Sequence, residues 1–404
     1  MSTELIEHST HSTAGDRDKP TLSRPNMPML GLLALGHMVI DINAGAVAAL
    51  LPFLKSALAL SYTSAGVIVL ASNATSSLIQ PIFGYFADKN ARRWILPVSV
   101  FLSTVGIALT GLANSYALVL TMIVVSGIGV ASYHPEGYRS AAQMAGSRKA
   151  TGVSIFSIGG NIGIALGPPL IALLVTGYGL RGTLGMLIPG LLVTILMSAS
   201  LPRLSGEAVA STHKQASGAR KTNLYAMTIL IFVVALRSWT QGGFATFVPF
   251  YYLEVLHGDP RMVGTLLTIF LGSGALGTLV AGPIADRIGV RRYAIGVFLL
   301  ATPLAAAFLM TRGILSYVLL GALGFVLVST FTITVVLAHA YMPRNLGMAS
   351  GFIVGFATGA GGLGVTVLGW VADQWGLITA LWISALMPLA AFAVSLFLPE
   401  PEKS

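Results

Sequence analysis

Apolar residues run along this chain in long blocks, and the polar and charged residues collect in the short gaps between them. About 20 consecutive apolar residues let a helix cross a bilayer. Twelve blocks read as such helices, at roughly 28–54, 62–86, 93–113, 116–138, 148–176, 181–201, 223–253, 261–285, 292–311, 314–341, 345–372 and 377–398. The pattern predicts an all-α membrane protein with two six-helix halves, 28–201 and 223–398. A cytoplasmic linker at 202–222 joins them, with a disordered tail at 1–27 and a short tail at 399–404.

The gaps carry a repeat. GYFADKNARR at 84–93 and GPIADRIGVRR at 282–292 place Gly84 and Gly282 198 residues apart, and Asp88 and Asp286 at the same separation. A period that long is not a solenoid repeat. It fits a carrier built from two parallel halves around a shared central site. The segments resemble the loop signature of the major facilitator superfamily, between the second and third helices of each half.

Composition supports a lipid-facing chain. It is 55% hydrophobic and 9% charged, with mean hydropathy +0.82, whereas a soluble domain carries about a quarter charged residues. The net charge of +9 invites a nucleic-acid reading, but the positions argue against one. Of 23 basic residues, 18 fall on one side of the twelve-helix arrangement and 4 on the other (Lys55, Arg181, Arg261, Arg312), with Arg237 inside a helix. This bias places both termini in the cytoplasm. The polar start of the chain is not a cleavable signal peptide. Without cysteine there is no thiolate chemistry, and without G-x-x-x-x-G-K-[ST] ATP is not the expected energy source. No cofactor or metal is expected. The short loops supply neither a catalytic cluster nor an attached domain, which argues against an enzyme or a sensor.

Four further segments narrow the resemblance: LGHMVIDINAGAVAALLPFL (35–54), SYHPEGYRSAAQMAG (132–146), SIFSIGGNIGIALGPPL (154–170) and MPRNLGMASGFIVGFATGAGGLGVTVLGWVAD (342–373). Together they resemble the fosmidomycin resistance protein family. The resemblance implies a secondary transporter of the bacterial cytoplasmic membrane, exporting a small organic compound against protons, and expected as a monomer. An importer of a small metabolite, such as an organic acid or sugar derivative, is the alternative. Two departures stand out. The fourth helix has no buried arginine before Arg139, and the tenth ends LAHAYMP, with His339 and Ala340 where relatives carry an acidic residue.

Ionisable groups inside a membrane are costly and mark function. Asp41 lies mid-way along the first helix, with His37 one turn before it on the same face and Asn43 two residues on. Arg237 occupies the seventh helix, where Pro249 aligns with Pro52, close to the level of Asp41. It is either an anchor for an anionic substrate or a partner of Asp41. Trp239 and Gln241 follow on the same helix, and with His37, Asp41, Asn43 and Arg237 they are read as substrate-binding candidates. His134 and Glu136 flank Pro135 in the fourth helix. They are second candidates, beside Asp41, for carrying protons; Glu136 could instead pair with Arg139. His339 is a further substrate candidate. Gly159, Gly163 and Gly167, followed by Pro168, and Gly351, Gly355 and Gly359 form small-residue rows for helix packing, or for sliding surfaces between the halves. Gly84, Asp88, Arg92 and Arg93, with Gly282, Asp286, Arg291 and Arg292, are read as a conformational gate. In it Asp88 caps the start of the eleventh helix when the cytoplasmic side closes.

Overall fold

The computed structural model describes residues 25–89, 92–146, 148–205, 222–343, 348–349 and 351–401. They form helices joined by short turns, with no strand among the described residues. The first half holds α1 (Met27–Leu58), α2 (Tyr62–Asn73), α3 (Gln80–Lys89), α4 (Ile95–Thr110), α5 (Tyr116–Met144), α6 (Lys149–Tyr178), α7 (Leu187–Ala199) and the short α8 (Leu201–Ser205). The second holds α9 (Leu224–Phe250), α10 (Met262–Ile288), α11 (Val290–Met310), α12 (Ile314–Tyr341), α13 (Thr358–Trp375) and α14 (Leu377–Ser395). Wide turns at Ala74–Leu78, Tyr251–Val255 and Gly351–Ala357 extend α2, α9 and α13.

Nine stretches among the described residues are long and apolar enough to span a bilayer, and one of them, Gly152–Ala199, covers two of the expected spans. Helix α4 is apolar but has only 16 residues. Side chains on the outer surface are themselves apolar, including Leu173, Ile188, Leu279 and Val318. That is the surface of a protein solvated by lipid. Of the tail expected at 1–27, residues 1–24 lie outside the described residues, as do 206–221 of the linker expected at 202–222 and residues 402–404.

The duplication seen in the loops recurs as a structural joint. Asn26 caps α1 by accepting from Met29 N, and its own N–H donates to Met144 O at the end of α5, at 2.8 Å. Asn223 caps α9 by accepting from Ala226 N, and its N–H donates to Tyr341 O at the end of α12, also at 2.8 Å. Both members of the joint recur after 197 residues. An N-cap side chain satisfies an orphan N–H. Here it also ties two helices of one half together.

The halves meet unevenly. Toward the end bearing Lys55, which is predicted to face outward, one apolar core runs through both: Leu50, Leu54 and Ile68 pack in the same cluster as Phe247, Phe250 and Leu368. Toward the other end the core splits in two. One cluster, with Leu33, Val100 and Phe156, belongs to the first half, and the other, with Leu230, Phe298 and Leu337, to the second. The α2–α13 seam follows the same gradient. A methyl at Gly369 would lie 2.5 Å from Tyr62 O, and one at Gly362 2.9 Å from Leu70 Cα. At Gly359 and Gly355 the nearest atoms recede to 3.6 Å, and at Gly351 none lies within 4 Å. The structure is closed at the predicted outer end and loosens toward the predicted cytoplasmic end.

Candidate functional site

Three ionisable side chains of the first half converge at the level where the core divides. His37 Nε2 lies 3.3 Å from Asp41 Oδ2, and His134 Nε2 of α5 lies 3.5 Å from Asp41 Oδ1. Each imidazole is held from behind. His37 Nδ1 donates to Phe156 O and His134 Nδ1 to Val130 O, both at 2.8 Å. The Phe156 ring stacks on His37 with centroids 4.1 Å apart, and His134 meets His37 edge-on at 4.9 Å. Room for this comes from α6: a methyl at Gly160 would sit 2.5 Å from His37 Cε1 and 2.6 Å from Asp41 Oδ2. Only a residue without a side chain fits there. The three groups present ligand atoms within 4.8 Å of one another, a spacing that also suits a divalent metal.

Across the molecular axis, Arg237 of α9 is 1% exposed. Its Nη2 donates to Gln241 Oε1, its Cζ lies 5.7 Å from the Phe331 ring centroid of α12, and its Nε and Nη1 have no hydrogen-bond partner. Of the two roles read for Arg237, the pairing with Asp41 is not formed in this structure, where Asp41 is engaged by the two histidines. The repeat explains the placement. Adding 197 to His134 gives Phe331, and adding 197 to Asp41 gives Ser238, the neighbour of Arg237. Phe331 thus stands in the second half where His134 stands in the first, while Arg237 precedes the counterpart of Asp41 by one residue. Gln241 and Ser238 line a cavity of about 230 Å³ between the halves, with Ala44, Gly45, Ser72, Asn73, Thr246 and Gly361. The Ser238 hydroxyl is also without a partner.

Comparison with known proteins agrees with this architecture. The family model of the Major Facilitator Superfamily matches residues 33–259 and 227–404. The fosmidomycin resistance protein of Escherichia coli K12 is 31% identical over 402 residues, covering 96% of each chain. The chain belongs to the major facilitator superfamily. An uncharacterized transporter of the same superfamily from Bacillus subtilis is 32% identical over 386 residues, covering 93% of this chain and 94% of that one. The solved structure of a bacterial homolog of the human lysosomal transporter Spinster, inward-facing and occupied, superposes with a TM-score of 0.76 at 14% identity. It covers 92% of this chain and 96% of that one, and shows the fold. The protein is therefore a multi-pass membrane transporter.

Within this transporter fold the remaining candidates scatter. Asn43, expected near substrate, is buried and donates to Thr104 Oγ1 of α4 at 3.1 Å, so it joins helices inside the first half. Trp239 donates to Ala360 O at 3.0 Å and lies against Gly364, a contact between α9 and α13. His339 sits in the last turn of α12, away from the cavity lining. Glu136 does not join His134. It is buried, 3.8 Å from Arg139 Nη1, and accepts from Ser140 Oγ at 3.4 Å. Arg93 turns inward to Gln143 Oε1 at 2.6 Å, while Arg92 is exposed. Arg291 binds Glu400 and the carbonyl of Leu396, and Asp286 and Arg292 are exposed. Methyls at Gly84 and Gly282 would meet nothing closer than 4.0 Å. The Asp88 side chain and residues 344–347, where its expected partner helix starts, lie outside the described residues.

The two glycine rows do different work. Gly159, Gly163 and Gly167 face the carbonyls of Ala34, Met38 and Ile42 on α1, inside one half, while Pro168 and Pro169 abut Gly264 of α10. Gly355 and Gly359 instead face Ser77 and Leu78 of the opposite half, and Gly351 faces open space. Only the second row lies between the halves.

A cluster at the predicted outer end was not anticipated. Asp373, at the end of α13, accepts from Tyr62 N at 2.8 Å, Thr63 N at 2.9 Å and Thr63 Oγ1 at 2.5 Å, at the start of α2. Glu254 accepts from Lys55 Nζ at 3.2 Å and from the Tyr62 hydroxyl. Every one of these bonds crosses between the halves. The signal was present in the sequence as lone acidic residues at span ends, but their partners lie 192 to 311 residues away.

Proposed function

We propose that this transporter exports a small organic anion in exchange for protons, by alternating access. The observation that carries the reading is Arg237: a buried guanidinium with two unpaired donors, beside the inter-half cavity and opposite a carboxylate–histidine cluster. A buried unpaired cation is costly. An anionic substrate would remove that cost, and a guanidinium fork suits carboxylate, phosphonate or phosphate. The E. coli relative is named for resistance to fosmidomycin, which is a phosphonate. The cluster of His37, Asp41 and His134 is the counterpart that would take protons as substrate leaves. Export against a gradient needs a driving ion, and a membrane potential supplies about 2.3 kcal/mol per charge per 100 mV.

Transport into everted vesicles with radiolabelled fosmidomycin tests both parts. Arg237→Lys keeps the charge and loses the fork, so affinity should fall by the worth of one charge-assisted bond, about 1.5–3 kcal/mol. Full transport by Arg237→Ala would remove the anchor. Asp41→Asn should retain exchange of substrate and lose accumulation driven by a pH gradient. The same vesicles report direction, since an importer would accumulate the label only in right-side-out membranes.

A further inference from the structure

We propose that His37, Asp41 and His134 form a binding site for a divalent transition-metal ion of the Zn²⁺ class. The inference follows from where the lone pairs point. A carbonyl oxygen only accepts, so the 2.8 Å contacts to Phe156 O and Val130 O place a hydrogen on Nδ1 of each ring. The second nitrogen of a neutral imidazole is then a bare acceptor. Both Nε2 atoms are aimed at one carboxylate, His37 at Oδ2 and His134 at Oδ1. Acceptors that converge in this way need a cation among them. Among the described residues no lysine or arginine pairs with Asp41.

The separations distinguish an ion from a proton. A hydrogen bond between imidazolium and carboxylate draws the heavy atoms to about 2.7–2.9 Å. The contacts here are longer, at 3.3 and 3.5 Å. Metal–ligand bonds of about 2.1 Å at tetrahedral angles set neighbouring ligand atoms about 3.4 Å apart. Both imidazole–carboxylate edges have that length, and the ligand atoms all lie within 4.8 Å of one another. The edge between the two Nε2 atoms is the one an ion draws in.

The surroundings serve the same end. An Nδ1–H held by a backbone carbonyl fixes the tautomer and orientation of a histidine ligand, and both rings have that support. Phe156 stacks on His37, and Tyr138 meets it edge-on with centroids 5.9 Å apart, so packing also holds the ring. Two imidazoles with one carboxylate favour Zn²⁺, Co²⁺, Ni²⁺ or Fe²⁺ over Mg²⁺ and Ca²⁺, which take oxygen ligands. Three protein ligands leave a fourth position for water. Asp41 and His134 keep 17% and 18% of their side-chain exposure against 4% for His37, so that position opens on their side. The sequence did not announce the site because its third ligand comes from α5. On the proton-driven reading above, the ion takes the acceptors that would carry protons, and its binding arrests coupled transport.

Titration of Co²⁺ into the purified protein, stripped of metal and free of any histidine tag, tests the site. Tight binding with the visible absorption of a tetrahedral nitrogen–oxygen site is expected. His134→Gln and Asp41→Asn should each weaken it more than about 100-fold, since an outer-shell partner alone is worth roughly 10–100-fold. His257→Gln, at an exposed histidine, should leave it unchanged. Zn²⁺, but not Mg²⁺, should raise the wild-type Tm, a readout that needs no variant. Absence of both the Co²⁺ spectrum and the Zn²⁺ shift overturns the site and leaves proton coupling standing. So does Co²⁺ binding that is unchanged in both cluster variants, which marks an adventitious ion. Transport separates the two readings. Everted vesicles pre-loaded with Zn²⁺ and washed should lose pH-driven fosmidomycin accumulation and regain it with a chelator. Co²⁺ binding at the cluster together with undiminished accumulation in the Zn²⁺-loaded vesicles supports the metal site and overturns the role of the cluster in coupling.

Discussion

Replacing Asp373 by Asn perturbs the closed outer end at its most heavily bonded point. The carboxylate accepts two backbone N–H groups and one hydroxyl at the start of α2, at 2.8, 2.9 and 2.5 Å. Bonds to a charged acceptor are worth about 1.5–3 kcal/mol each when shielded. This site is exposed, so about 0.5–1 kcal/mol each is the appropriate scale. Helix N-termini favour negative charge by a similar amount. Asn keeps one acceptor oxygen and loses both the charge and the second oxygen. The net loss is about 1–1.5 kcal/mol, close to tenfold in the equilibrium between outer-closed and outer-open forms. A population about 90% closed would fall to about half. The chain has no cysteine, so spin labels at Ser56→Cys and Gln374→Cys report one distance across the outer end without background. The expected result is a second, longer distance in Asp373→Asn, with a smaller rise in Thr63→Val, which removes one of the three bonds. An unchanged distance distribution in both variants would refute the latch, and with it the claim that these bonds hold the halves together.

Other outcomes follow from close approaches and topology. Gly160→Ala places a methyl within 2.6 Å of both His37 and Asp41; pH-driven accumulation should be lost while the folded protein is still recovered from detergent. Gly167→Val meets Ile42 O, 2.3 Å from its Cβ, and should destabilise the α1–α6 pair by about 1–3 kcal/mol, read as a lower Tm. Cysteine labelling should find Lys214→Cys reactive only from the cytoplasm and Arg181→Cys only from outside; the reverse pattern would invert the topology.

The sequence by itself determined the solvent, the fold class and the duplication. Blocks of apolar residues too long for a soluble core require lipid, and the paired charged loops at Gly84 and Gly282 mark two copies of one unit. It also singled out Asp41 and Arg237, because an ionisable residue in an apolar block stands out without any coordinates. His37 and Asp41 were legible as neighbours, since they share one helix face. What lies across helices was not. His134 joining Asp41 rather than Glu136, Asn43 turning to Thr104, and Asp373 capping α2 depend on packing between segments tens to hundreds of residues apart. An apolar helix buried on several faces has no polar stripe to say which side meets which neighbour. Only the close fit of backbones, such as α6 laid along α1 through Gly159, Gly163 and Gly167 with Gly160 leaving space for two side chains, selects the rotation that brings a carboxylate between two imidazoles.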